Sequence, residues 1–166
     1  MNQVHPQRYR TTTWERARVA HLRGRPDFAR HLRGIARPMQ ISYQRLMQAY
    51  NGEPVGVECR ERERDAWAFV VPEMSGSGRW RIQRFDLDGF VGHMCFDTLA
   101  IAVENMLQEG YRILDAGALD RVAATNRWAK GIKRAAVVQR CQEGLITYAQ
   151  MLDELRRMQE EATAGS

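Results

Sequence analysis

The period of the apolar positions changes twice along this chain, from helical to alternating and back. Trp14 to Leu22 reads as a first helix, stopped by Gly24-Arg25-Pro26. Its arginines share no face, because Arg16 and Arg23 lie opposite Arg18 at 100° per residue. In "PDFARHLRGIARP" (26–38), Phe28, Leu32 and Ile35 fall on one side of a second helix. Arg30, Arg33 and Arg37 form a narrow stripe opposite, and Pro38 is the expected stop. A third helix is predicted in "ISYQRLMQAYNGE" (41–53). Ser42 caps it, Ile41 packs on Leu46, and Tyr43, Leu46, Met47 and Tyr50 form the buried stripe up to Asn51-Gly52.

The middle of the chain alternates. Trp67, Phe69 and Val71 in "DAWAFVVPE" predict a strand ended by Pro72, followed by the flexible turn "MSGSG". Residues 79–97 read as a hairpin with Asp88-Gly89 at its tip. A two-residue turn there opposes Leu87 with Phe90, Phe85 with Gly92, Gln83 with Met94 and Arg81 with Phe96. Phe85, Leu87, Phe90, Met94 and Phe96 then form the core face, and Trp80, Ile82, Arg84, Val91, His93 and Cys95 form the open one.

Helical spacing returns after Asp97 or Thr98, either of which caps a helix with Leu99, Ala102, Val103 and Met106 inward and Gly110 at its end. "YRILD" reads as a short strand. Helices follow over about 117–129, 132–142 and 147–161, the last opened by a Thr147–Gln150 capping box. The expected fold is α+β: N-terminal helices, a three-stranded antiparallel sheet packed on a helix, and a C-terminal helical hairpin. Residues 1–54 form a basic helical segment and 55–166 the α+β part, joined as one unit.

The charge is uneven in a way that bears on partners. Residues 1–50 hold ten arginines against Glu15 and Asp27, a balance of +8, so the rest sums to −3 within the overall +5. A second stretch, Arg121 to Gln142, carries Arg121, Arg127, Lys130, Lys133, Arg134 and Arg140 and no acid. Lys130 and Lys133 are the only lysines, so part of the arginine count is compositional bias. The chain is 44% hydrophobic, has no apolar run of membrane-spanning length, and opens on a polar N-terminus. Three widely spaced cysteines suit reduced thiols, and a cytoplasmic setting is expected.

"GRWRIQRFDLDGFVGHMCFDTLAIAVENML" (78–107) resembles the AP2-type DNA-binding module, in its order of three strands then a helix and in Phe96-Asp97-Thr98 with Ala102 at the helix start. The basic and aromatic sheet lining of that family is missing here, so the resemblance implies topology and transfers no binding residues. A helix-turn-helix around Gly144 fails on two positions, Arg140 where a small residue belongs and Gln150 where an apolar one belongs. His93, Cys95 and Asp97 lack the second ligand pair of a metal site, and "DLDG" (86–89) lacks the later ligands of a calcium loop. No phosphate loop, nucleophile elbow or paired-carboxylate signature is present, so neither an enzyme nor a cofactor is expected.

The pattern instead predicts a small nucleic-acid-binding accessory or regulatory protein. Arg30, Arg33, Arg37, Lys130, Lys133, Arg134 and Arg140 are assigned to phosphates of DNA or RNA. Trp80, Arg84 and His93 on the open sheet face are assigned to bases of a single strand. The alternative is a non-enzymatic adaptor or inhibitor that docks on an acidic surface of a larger complex.

Overall fold

The computed structural model describes residues 9–164. Six helices and five strands follow in the order α1 (Thr12–Leu22), α2 (Pro26–Ala49), β1 (Cys59–Glu61), β2 (Ala66–Pro72), β3 (Trp80–Asp86), β4 (Gly89–Phe96), α3 (Leu99–Gln108), β5 (Tyr111–Leu114), α4 (Ala118–Ala123), α5 (Asn126–Gln142) and α6 (Tyr148–Ala164). The α+β class stands, but the antiparallel sheet has five strands rather than three, in the order β4-β3-β2-β1-β5. "YRIL" is a strand after all, and β1, only three residues long, joins it to the rest. Such a short segment shows no usable alternation in sequence.

β4 and β5 lie at opposite edges, so α3 crosses the sheet between them. Thr98 caps it, accepting from the Ile101 N–H at 3.2 Å, and Ala102, Val103, Met106 and Leu107 are buried against Ala68, Val70 and Ile82. The C-terminal half of α2 joins the same core through Tyr43, Leu46 and Met47. Each fully buried side chain of this size contributes about 1.5–3 kcal/mol.

The opposite face is also covered. Trp67 and Phe85 stack at 5.4 Å, and Trp128 of α5 meets Phe85 edge-on at 6.0 Å, with Ala118 and Val122 of α4 closing the cluster. Trp67 donates its indole N–H to Asp115 at 2.7 Å, which lets a buried tryptophan satisfy its polar atom.

Three expectations need correction. Pro38 does not end a helix: α2 runs unbroken through it for 24 residues, and Ser42 is no N-cap but donates its hydroxyl to the Pro38 carbonyl at 3.3 Å. Proline removes one main-chain donor, and this helix accommodates the loss because tertiary contacts hold both halves. The break expected near residues 130–131 falls earlier, at Thr125, whose hydroxyl accepts from the Trp128 N–H at 3.1 Å and starts α5.

The hairpin register is the third. The Asp86 carboxylate accepts the Asp88 N–H at 2.7 Å, which closes the turn on Leu87-Asp88 and returns Gly89 to the strand opposite Asp86. Val91 is then extra, a bulge between the Phe85–Phe90 and Arg84–Gly92 pairs. Met94 and Phe96 therefore share the α3 face with Ile82 and Trp80, while Phe85 and Phe90 face Trp128. The expectation of one core face and one open face fails because both faces are cores.

Candidate nucleic-acid interface

The cationic N-terminal helices form an arm. α1 and α2 pair antiparallel, with Ala17, Ala20, Ala29 and Ala36 buried where they meet. The arm is fastened to the body by a buried polar clamp. Gln40 accepts the N–H and hydroxyl of Thr11 at 2.8 and 3.1 Å and donates to the Tyr9 carbonyl at 2.8 Å. One step along, Glu104 of α3 accepts the N–H and hydroxyl of Thr12, both at 2.8 Å. These acceptors satisfy the first donors of α1, and at fully buried Thr11 no water could take their place. A carboxylate there also suits the positive end of the helix.

Arg30, Arg33 and Arg37 stand exposed on one side of α2, as the spacing predicts. Arg30 pairs with Asp27 at 3.2 Å, but both side chains are more than four-fifths exposed, so water and salt largely screen the pair. Arg33 and Arg37 have no carboxylate partner among the described residues, nor do Arg16 and Arg45 of the same two helices or Arg23 and Arg25 between them.

The second basic stretch lies elsewhere. Lys130, Lys133 and Arg134 are exposed on α5, which covers the sheet face opposite to α2. Arg140 is occupied by Glu154 of α6 through bonds of 2.9 and 3.1 Å, Arg127 by Asp88, and Arg121 by Asp115. The Arg127 guanidinium holds the Asp88 carboxyl below its ordinary range, with Arg134 adding a smaller pull. The two cationic segments are thus carried on opposite sides of the body and do not merge.

The proposed stacking trio is divided as well. Trp80 is half-buried against the α2–α3 core, and Arg84 on the same face is held by Glu109 through bonds of 2.7 and 2.6 Å. His93 is exposed on the other face, beside Gln83. The bulge at Val91 moves His93 off the face that Trp80 and Arg84 still share.

Sequence reasoning missed the clamp formed by Gln40 and Glu104, and nothing short-range marks either residue. It also missed that Arg16, Arg23 and Arg25 cluster around one flank of the arm. The alanines at i, i+3 in α1 and at i, i+7 in α2 were the available signal for a close helix seam.

Among the described residues no group of three His, Cys, Asp or Glu could hold a metal ion, and no helix is long and apolar enough to cross a membrane. Cys59 is 2% exposed, and burial pushes its thiol up to about 12. No family model, curated protein or solved structure matches this chain. What stands of the AP2-type likeness is the order of three antiparallel strands and a helix packed on them.

Proposed function

We propose that this is a small cytoplasmic nucleic-acid-binding accessory protein whose α1–α2 arm is the phosphate-contacting element. The observation that carries the reading is the free arginine surface of the arm. Arg33 and Arg37, with Arg30 in a screened pair, present one cationic stripe along the flank of the α1 seam opposite Phe28, Leu32 and Ile35. Arg30 and Arg37 stand two turns apart, about 10.5 Å along the axis. Phosphate recognition needs such a cluster of charge more than it needs a motif, because its free energy comes from released counterions. Lys130, Lys133 and Arg134 are a separate contact surface, suited to a second segment of nucleic acid rather than to the same one.

A labelled DNA duplex titrated with the full chain at about 50 and about 200 mM salt tests this. Affinity is expected to fall with salt, and Arg33→Glu with Arg37→Glu to reduce the log–log salt slope by about 2. The same reversal at Lys130 and Lys133 is expected to change it less. Binding that ignores salt, or that survives reversal of Arg33 and Arg37 unchanged, overturns the assignment.

A further inference from the structure

α1 and α2 touch through their smallest side chains, and this leaves their large apolar groups without a partner. Val19 of α1 faces Phe28 and Leu32 of α2 across a groove of about 470 Å³, which Arg16, Arg23 and Arg25 also line. Ile35 continues the row beyond it, and Phe28 and Ile35 are 44% and 63% exposed. An exposed contiguous apolar row on a helical arm is a binding surface by default, since burying it in water-free contact is what stabilises a helix pair.

The rim decides what fits. Arg16 and Arg23 have no carboxylate partner among the described residues, and Arg25 lies over the Phe28 ring at 4.7 Å. The one acid of the lining, Glu15, is engaged by Arg10 and Arg18. The flank therefore offers an apolar floor between arginines whose charge is unanswered.

We propose that this groove receives an amphipathic helix of a partner protein, with an apolar stripe flanked by Asp and Glu. Two antiparallel helices leave the third position of a three-helix bundle empty, and a helix fills it with anchors one turn apart. Phe28, Leu32 and Ile35, at i, i+4 and i+7, present matching spacing. Carboxylates on the incoming helix answer Arg16 and Arg23 and set its orientation. At 100° per residue this flank lies opposite Arg30, Arg33 and Arg37, so the groove stands independently of the phosphate stripe and both can be filled at once.

The test uses the full chain and two labelled synthetic helices with the same leucine stripe, one flanked by Glu and one by Lys. Fluorescence anisotropy is expected to show the acidic helix binding at least about tenfold tighter. Leu32→Glu is expected to weaken it by about tenfold or more, and Arg16→Glu with Arg23→Glu to abolish the preference between the two helices. Circular dichroism reports folding, and Phe28→Ala, at a partly exposed position, replaces Leu32→Glu if that variant unfolds. Equal affinity for both helices, or indifference to both Leu32→Glu and Phe28→Ala, overturns the proposal. So does a wild-type dimer that Leu32→Glu converts to monomer in sedimentation, which would assign the groove to a second copy. Weaker DNA binding with the reduced salt slope in Arg33→Glu with Arg37→Glu, with acidic-helix binding intact, is the result expected if both assignments hold. A failure of either one leaves the other readable.

Discussion

Replacing Glu104 by alanine tests whether the arm is fastened to the body through its buried carboxylate. Glu104 is 9% exposed and accepts two bonds from Thr12, each at 2.8 Å. Bonds to a charged acceptor are worth about 1.5–3 kcal/mol each. Truncation also relieves the cost of burying the carboxylate and opens space that water can enter, which offsets part of the loss. A net destabilisation of about 2–3 kcal/mol follows. For a chain of this size each kcal/mol moves Tm by about 2–4 °C, so a fall of about 4–12 °C is expected in thermal unfolding followed by circular dichroism. Glu104→Gln keeps an acceptor oxygen and the shape, and should cost less than half as much. A double-mutant cycle with Thr12→Val isolates the hydroxyl bond and should show a coupling of about 1 kcal/mol. If Glu104→Ala costs less than about 1 kcal/mol, or the cycle is additive, the clamp is not what holds the arm.

Other expectations follow from single contacts. A Cβ on Gly131 would sit 1.7 Å from the Asp88 carbonyl oxygen, so Gly131→Ala must displace α5 or the β3–β4 turn; Tm and the near-ultraviolet signal of the Trp67–Phe85–Trp128 cluster should both fall. Asp115 is held below its ordinary value of 3.8 by the Trp67 indole N–H and then by Arg121, and Asp88 by Arg127. A lowered carboxylate stabilises the fold above its unfolded value, and that contribution is lost as pH falls through the folded one. Stability should therefore decline below about pH 3.8, and Asp115→Asn should flatten the decline measured by urea unfolding across that range. Cys59, buried and pushed up to about 12, should resist a thiol reagent at about pH 8 until the protein is unfolded, and rapid labelling of the native chain at this site would refute its burial.

Local chemistry made two helix starts legible. Thr98 and Thr147 cap as their spacing implies, and the Thr147–Gln150 box forms in both directions, at 2.8 and 3.2 Å. Features decided by tertiary contact were not legible. Pro38 has the sequence signature of a stop, yet α1 on one half of α2 and the sheet core on the other carry the helix across it. The Asp88-Gly89 pair reads as a turn tip, and a side-chain bond from Asp86 moves the tip back by one residue. The extra residue Val91 then shifted the register by one, which exchanged the faces of Met94 and Phe96 and took His93 away from the face of Trp80 and Arg84. The arginine stripe of α2 was legible because it depends only on the period of its own helix. The separation of that stripe from the cations of α5 was not, because it depends on which sheet face each helix covers.

Pro38 sits where α2 passes from its partner α1 to the sheet. With no N–H at that position, the carbonyl of Gly34 one turn earlier has no donor within the helix, so the rod is continuous in path but one rung short in its ladder. Beside the clamp, the arm therefore joins the body through a stretch of helix that one substitution can stiffen. Pro38→Ala restores the rung, and would fix the angle at which anything held on the arm is presented to whatever the sheet side carries.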